Sequence, residues 1–383
     1  MSRLPAVWPN PRSHLRTVQP DQPVLYFLPD ALHATACRFQ AGFPGLVTYA
    51  VKANDLHPVL ENLVQAGLMA FDVASPDEIA KVRAVSDTVE IHYNNPVRSQ
   101  REIRSAIAQG VRSFSVDDMG ELEKLAALVS SAGVEVSVRI KLTVAGGYYD
   151  FGSKFGAEPD QCVVLLRRAA ALGFDTSMTF HPGTQCEEPT AWTAYIEAAA
   201  EVARAAGVKL HRLNVGGGFP AHRVAEAPDL EAIFERIAQS VAAAFGRDAP
   251  DLVCEPGRAM VAEAFQLAAC VKSRRDDGRV YLNDGVYGGM AEAALIGSVD
   301  RTAVFSPTGV QRVGPHFDAV VFGPTCDSLD RIKGTVSLPR TIAEGDYVLF
   351  DGMGGYSTAT LTRFNGYGAL EIVTVDRGSD HGT

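Results

Sequence analysis

The sequence predicts an α/β protein, a (β/α)8 TIM-like barrel followed by a mostly β domain. Two observations carry this. Between residues 46 and 255, eight short β-branched or aromatic runs alternate with Ala/Leu/Glu-rich stretches of helical period. That is the strand count of a (β/α)8 barrel. Past residue 262 the long helical stretches stop, and short β-type runs between Gly and Pro turns take over. A doubly wound open sheet has the same βα rhythm, and periodicity alone leaves that alternative open.

Taken in order, residues 1–23 carry five prolines and are expected to be an irregular lead-in. Val24 to Leu28 reads as a short strand that stops at Pro29 and joins the β domain. The expected domains are therefore 1–30, 31–262 and 263–383. A helix is expected from Ala31 to Gln40, closed by Gly42 and Pro44. Barrel strands are expected at 46–51, 69–74, 89–93, 112–116, 134–142, 177–181, 209–215 and 251–255. Between them, Ser75 with Glu78 three residues later predicts a helix opened by a capping box. Further helices are expected at 119–129, 187–206 and 230–245. The β domain is expected to use runs at 264–272, 279–283, 319–322, 346–350 and 370–375.

The chain has 383 residues, 46% hydrophobic and 21% charged, which allows a large core and argues against disorder. Its net charge of −10 argues against nucleic acid or an anionic membrane as partner and suits a small cationic substrate. The six cysteines form no CxxC pair and match neither zinc nor disulfide spacing, so no metal is expected and the thiols should be reduced. No run has the length of a signal core or a membrane span, so a soluble, cytoplasmic protein is expected.

In a barrel, chemistry sits at the C-terminal strand ends. Lys52, Asp72, Asn94, Arg139, His181, Gly216-Gly-Gly218 and Glu255 all fall there. Lys52, in Thr48-Tyr-Ala-Val-Lys-Ala-Asn54, could attack a carbonyl if desolvation lowers its pKa; a lone lysine at such a place more often snorkels to solvent. The three glycines could cradle an anion or simply make a tight turn, and they form neither a P-loop nor a dinucleotide fingerprint. Glu255 and Arg258 could serve a cofactor or pair with each other. His181 could stack on a ring or be a hydrogen-bonded mouth histidine. In the β domain, Cys326-Asp327 could be reactive or a buried thiol beside a turn aspartate, and Tyr356 could finish an anion site or merely pack. As one set, an amine, a glycine cradle, an arginine, a carboxylate and a stackable ring are what pyridoxal 5'-phosphate (PLP) uses.

The motifs also occur in a known order. Tyr49-Ala-Val-Lys-Ala-Asn54, His181-Pro-Gly-Thr-Gln-Cys186, Gly216-Gly-Gly-Phe-Pro220, Cys254-Glu-Pro-Gly-Arg258, Asn283-Asp-Gly-Val-Tyr-Gly288, Gly323-Pro-Thr-Cys-Asp-Ser-Leu-Asp330 and Gly354-Gly-Tyr-Ser357 resemble the fold-type III PLP-dependent basic amino acid decarboxylases, ornithine decarboxylases above all, over residues 24–375. The resemblance implies an alanine-racemase-like barrel with a C-terminal β domain, in head-to-tail homodimers that share active sites. It implies that Lys52 carries PLP covalently and His181 stacks on its ring. Gly216, Gly217, Gly218, Arg258 and Tyr356 would bind the phosphate with Thr184, Glu255 would pair with the pyridine nitrogen, and Gly257 would also lie at the cofactor. Asp72 and Arg139 match positions near the cofactor. Cys326 of the partner subunit would return a proton after CO2 leaves. Asp327 of the partner subunit would hold the distal ammonium, with Tyr287 nearby. Where eukaryotic relatives bring a second aspartate, this chain has Ile296, and Glu292 is the candidate replacement. The implied reaction is L-ornithine to putrescine, for polyamine synthesis, with L-lysine to cadaverine as a further activity.

Other readings are less well matched. A diaminopimelate decarboxylase usually has Cys-Glu-Ser and GlyGlyGlyLeu, where this chain has Cys326-Asp-Ser328 and Phe219. A racemase on this scaffold would normally place an arginine at Glu255. A single-barrel PLP carrier would lack the β domain, and an inactive regulatory relative would lack Lys52.

Overall fold

The computed structural model describes residues 7–142, 154–223, 226–297 and 300–378. The chain forms two compact units, Ala36–Pro220 with Pro228–Gly257, and Met1–Thr35 with Ala221–Ala227 and Arg258–Thr383. In chain order, strand β1 (Val24–Phe27) comes first. It is followed by β2 (Leu46–Ala50), β3 (Ala70–Val73), β4 (Glu90–Tyr93), β5 (Ser113–Val116), β6 (Glu135–Arg139), β7 (Asp175–Thr179), β8 (Arg212–Asn214) and β9 (Asp251–Cys254). After them come β10 (Phe265–Arg274), β11 (Arg279–Leu282), β12 (Thr302–Phe305), β13 (His316–Phe322), β14 (Val336–Pro339), β15 (Tyr347–Phe350) and β16 (Glu371–Thr374).

In the first unit β2 to β9 form a closed parallel barrel, sealed where Leu46 pairs with Val253 and Val47 with Cys254. Parallel strands covered on both faces need apolar residues at nearly every position. Tyr49, Phe71, Tyr93, Phe114, Val136, Met178 and Leu213 are accordingly inaccessible. Outside the barrel, Phe39, Trp192, Phe219 and Phe234 make one aromatic cluster, with Trp192 stacked on Phe219 at 5.3 Å.

The closed barrel excludes the doubly wound alternative; most of its strands are shorter than expected, and β7 keeps its length but lies two residues earlier. β6 stops at Arg139 rather than 142, and β7 ends at Thr179, so His181 lies in the loop beyond it. Lys52 is not on a strand but in a single 3-10 turn, Val51–Ala53. The helix expected from 187 starts at Thr190, because Glu188 precedes Pro189 and is pushed out of helical backbone. The capping box at Ser75 is only half made. The Ser75 hydroxyl accepts the Glu78 N–H at 3.2 Å, but the Glu78 carboxylate accepts from Ala74 N–H instead. A complete box, not anticipated, opens the helix Gln100–Ala108, where Ser99 and Glu102 cap each other.

The second unit is built on an eight-stranded sheet with the order β12-β15-β10-β11-β13-β14. β1 pairs antiparallel with β10 and parallel with β16. Strands β12 and β14 were not anticipated. The lead-in is also more ordered than its prolines suggest. Pro11–Val18 is a helix, with the Asn10 side chain accepting the Ser13 N–H at 2.9 Å and Pro11 in the first turn. Its Leu15 enters a core with Val24, Tyr26, Ala303, Leu349 and Val375. Among the described residues no helix is long and apolar enough to cross a membrane.

Candidate active site

The first unit gathers its functional candidates at the C-terminal strand ends. Glu255 lies one residue past β9 and accepts the side-chain amide of Asn94 at 2.5 Å on Oε1. The amide of Asn214 donates to the same oxygen. Asn214 Oδ1 in turn accepts the Gly216 N–H at 2.9 Å, and Gly216 O accepts the Glu255 N–H at 2.8 Å. One asparagine thus ties the carboxylate to the glycine turn, a holding role that sequence reading did not assign to Asn214 or Asn94. Their only signal was an amide at or just past the end of an apolar run.

The glycine turn is forced by packing. Gly216 and Gly218 have φ of +70° and +82°. A Cβ on Gly216 would lie 2.1 Å from Phe180 O, one on Gly217 2.5 Å from Glu255 O and one on Gly218 2.0 Å from Gly183 O. Gly218 O accepts the Cys186 N–H at 2.9 Å, which pins the turn containing Thr184 against the glycines. Gly257 allows the loop after β9 to lie on the Lys52 turn, since a Cβ there would come 3.1 Å from Ala53 Cβ.

Charge surrounds Lys52. The side chain is exposed, so the expected desolvation is not found in this chain. Asp72, buried at the end of β3, is pushed well above the usual carboxylate range by burial and by Glu255, with Lys52 opposing. Asp72 Oδ1 makes no hydrogen bond among the described residues. His181 is pushed well below the usual imidazole range by burial, then by Lys52 and Arg139. Its Nδ1 accepts the Gly183 N–H at 3.2 Å, which suits a neutral ring. Arg139 is lowered by burial, with Glu255 opposing, and lies 5.3 Å from the Phe155 ring centre.

The second unit holds the other candidates in two groups. Arg258, 8% exposed, donates from Nη2 to Glu292 Oε1 at 2.5 Å, while Nη1 engages Oε2. The Tyr356 ring centre lies 5.0 Å from the guanidinium. Glu292, expected at the substrate's ammonium, is thus placed on an arginine of its own unit. In the second group the Tyr287 phenol donates to Asp327 Oδ2. A backbone N–H from Leu329 and this phenol hold the half-buried Asp327 below the usual carboxylate range. Cys326 is exposed, and its N–H donates to Asn365 Oδ1 at 3.0 Å.

The family model for the pyridoxal-binding domain of pyridoxal-dependent decarboxylases matches residues 30–262. The chain belongs to the pyridoxal-dependent decarboxylases. It is 31% identical to the ornithine decarboxylase of Panagrellus redivivus over 377 residues, covering 91% of this chain and 84% of the relative. The arginine decarboxylase of Paramecium bursaria Chlorella virus superposes with a TM-score of 0.84 at 26% identity, covering 94% and 98% of the two chains. The lysine/ornithine decarboxylase of Vibrio vulnificus, complexed with putrescine, superposes at 0.78 with 27% identity, covering 92% and 94%.

As a member of this fold-type III group of basic amino acid decarboxylases, the protein is a PLP-dependent carboxy-lyase. The first unit's residues fit that cofactor. They offer a primary amine, a carboxylate fixed by two amides, an imidazole that burial holds in its neutral form, and a turn of closely packed glycines. Asp72 adds a buried oxygen, Oδ1, with no hydrogen bond among the described residues. When bound, the cofactor supplies an electron sink for bonds to the substrate α-carbon.

Proposed function

We propose that the protein decarboxylates L-ornithine to putrescine and CO2, accepts L-lysine with cadaverine as product, and serves polyamine synthesis. The observation that supports the chemistry best is the fixed Glu255 carboxylate facing the same mouth as the lysine amine and the neutral imidazole. In this reading Lys52 holds the cofactor aldehyde, His181 lies on the ring face, and Glu255 keeps the pyridine nitrogen protonated. Gly216, Gly217, Gly218, Thr184, Arg258 and Tyr356 are assigned to the phosphate. Asp72 and Arg139 set the charge near Lys52.

The cationic substrate is supported by the chain's net charge and by Asp327, a carboxylate held by the Leu329 N–H and the Tyr287 phenol. We assign Asp327 to the distal ammonium, with Tyr287 orienting it, and Glu292 as the second anchor. Cys326 returns the proton to the α-carbon from its Sγ. Cys326 is exposed and Asp327 half-buried within one chain, which leaves the thiol accessible to a partner subunit of a homodimer. All six cysteines are free thiols, which suits a cytoplasmic protein.

The test is a panel of ornithine, lysine, arginine and diaminopimelate, scored for CO2 and amine product. Ornithine is expected to give the highest kcat/KM, and a preference for diaminopimelate would overturn the assignment. Borohydride reduction of the loaded protein followed by peptide mapping should mark Lys52. At saturating PLP, Glu292→Ala should raise KM for ornithine by about tenfold or more, the cost of leaving one ammonium without its partner.

A further inference from the structure

Arg258 is the arginine assigned to the phosphate, yet the structure commits its guanidinium elsewhere. Both Nη atoms engage the Glu292 carboxylate, and the pair is well shielded, with side chains 8% and 23% exposed. The Tyr356 ring lies beside the guanidinium, and Gly355 packs so closely that a Cβ there would come 2.9 Å from Arg258 Cγ. The arginine is therefore held on two sides and presents its nitrogens to Glu292. Glu292 also lines a pocket with Arg223, Gly289, Met290, Gly355 and Ser357. Arg223 is tied there through Nη2 to Gly297 O at 2.6 Å.

We propose that Glu292 is a competing counter-ion for the cofactor's phosphate at Arg258, so that phosphate binding exchanges one anion for the other and releases the carboxylate toward the substrate. The inference rests on the reading of Arg258 as a phosphate ligand. The physical argument is one of charge and geometry. A bidentate carboxylate uses the same fork of N–H donors that a phosphate needs. A dianionic phosphate beside a retained carboxylate would also meet like-charge repulsion in a shielded place. The exchange couples the two steps: a chain without phosphate keeps Glu292 neutralised, and a chain with phosphate has a carboxylate to offer a cation. No atom is transferred, only a hydrogen-bond partner.

The experiment titrates PLP and pyridoxal, which lacks the phosphate, into the cofactor-free full chain, reading protein fluorescence and the visible absorbance of bound cofactor. Glu292→Gln is expected to tighten PLP binding about tenfold and to leave pyridoxal binding unchanged. Glu292→Asp, which keeps the charge and shortens the reach, should tighten it less. In an Arg258→Gln background the Glu292→Gln effect should vanish. Unchanged or weaker PLP binding by Glu292→Gln, with pyridoxal unaffected, overturns the proposal. If Arg258→Gln leaves PLP affinity untouched, the assignment of Arg258 to the phosphate falls first and the proposal with it. That outcome is separate from the ornithine KM of Glu292→Ala, which reports on the substrate anchor alone.

Discussion

His181 and Asp72 face the same mouth and bend stability in opposite directions with pH. His181 has a folded pKa depressed by burial and by Lys52 and Arg139. Its contribution is full above the unfolded value of about 6.5 and is lost as pH falls toward the depressed folded value. Asp72 has a raised folded pKa, so its contribution is full below the unfolded carboxylate value and is lost as pH rises through the folded one. Urea unfolding of the cofactor-free chain between pH 5 and 6.5 should therefore be steeper in pH for wild type than for His181→Asn. The difference is at most about 1.4 kcal/mol per pH unit; equal slopes would mean the ring titrates normally. The individual site residues were legible because a polar group at the end of an apolar run stands out in a barrel sequence. Their partners were not. Asn94 and Asn214 reach Glu255 from positions 161 and 41 residues away in the chain, and nothing in the sequence pairs Arg258 with Glu292.

Among the elements, the glycine turn after β8 has the least room for change. Gly218→Ala adds a methyl 2.0 Å from a backbone carbonyl at a φ of +82°. Thermal or urea unfolding should show a loss of at least about 1–3 kcal/mol, with PLP binding weakened in parallel. Normal stability with only PLP binding lost would mean that the turn relaxes freely. From the sequence the glycines could be an anion cradle or only a tight turn, and packing alone already demands them. The helix Pro11–Val18 shows the opposite error. Five prolines suggested irregular chain, but Pro11 directly after Asn10 is a helix start, since a proline in the first turn lacks only an N–H that has no intrahelical use. The barrel rhythm was legible because eight buried strands must each be apolar. The ends of the strands were not, because β6 and β7 stop where backbone pairing stops rather than where hydrophobicity does.

For the molecule as a whole, the segment matched by the family model begins at residue 30, beyond β1. Yet Val24, Leu25, Tyr26 and Phe27 are almost wholly buried in the second unit. Removing four such side chains forfeits roughly 6 kcal/mol or more, comparable to the whole stability of a typical domain. A chain beginning at Pro29 should therefore lose cooperative unfolding of the second unit and run as aggregate in size-exclusion chromatography. A monodisperse, cooperatively unfolding product would show that β10 and β16 close without it. The division into a barrel and a β region was visible as a change of texture after residue 262. That the sheet recruits a strand from the other end of the chain was legible only as the isolated apolar run at Val24 to Leu28.

That recruitment has a consequence for biosynthesis. Val24 leaves the ribosome long before its neighbours Ala268 and Glu371, which follow it in the chain by 244 and 347 residues. At roughly 5–20 residues per second, the strand waits for ten seconds or longer with its hydrogen-bonding edges bare. Until those residues emerge the nascent chain carries an unpaired apolar strand, and any chaperone that shields emerging apolar stretches should raise its yield.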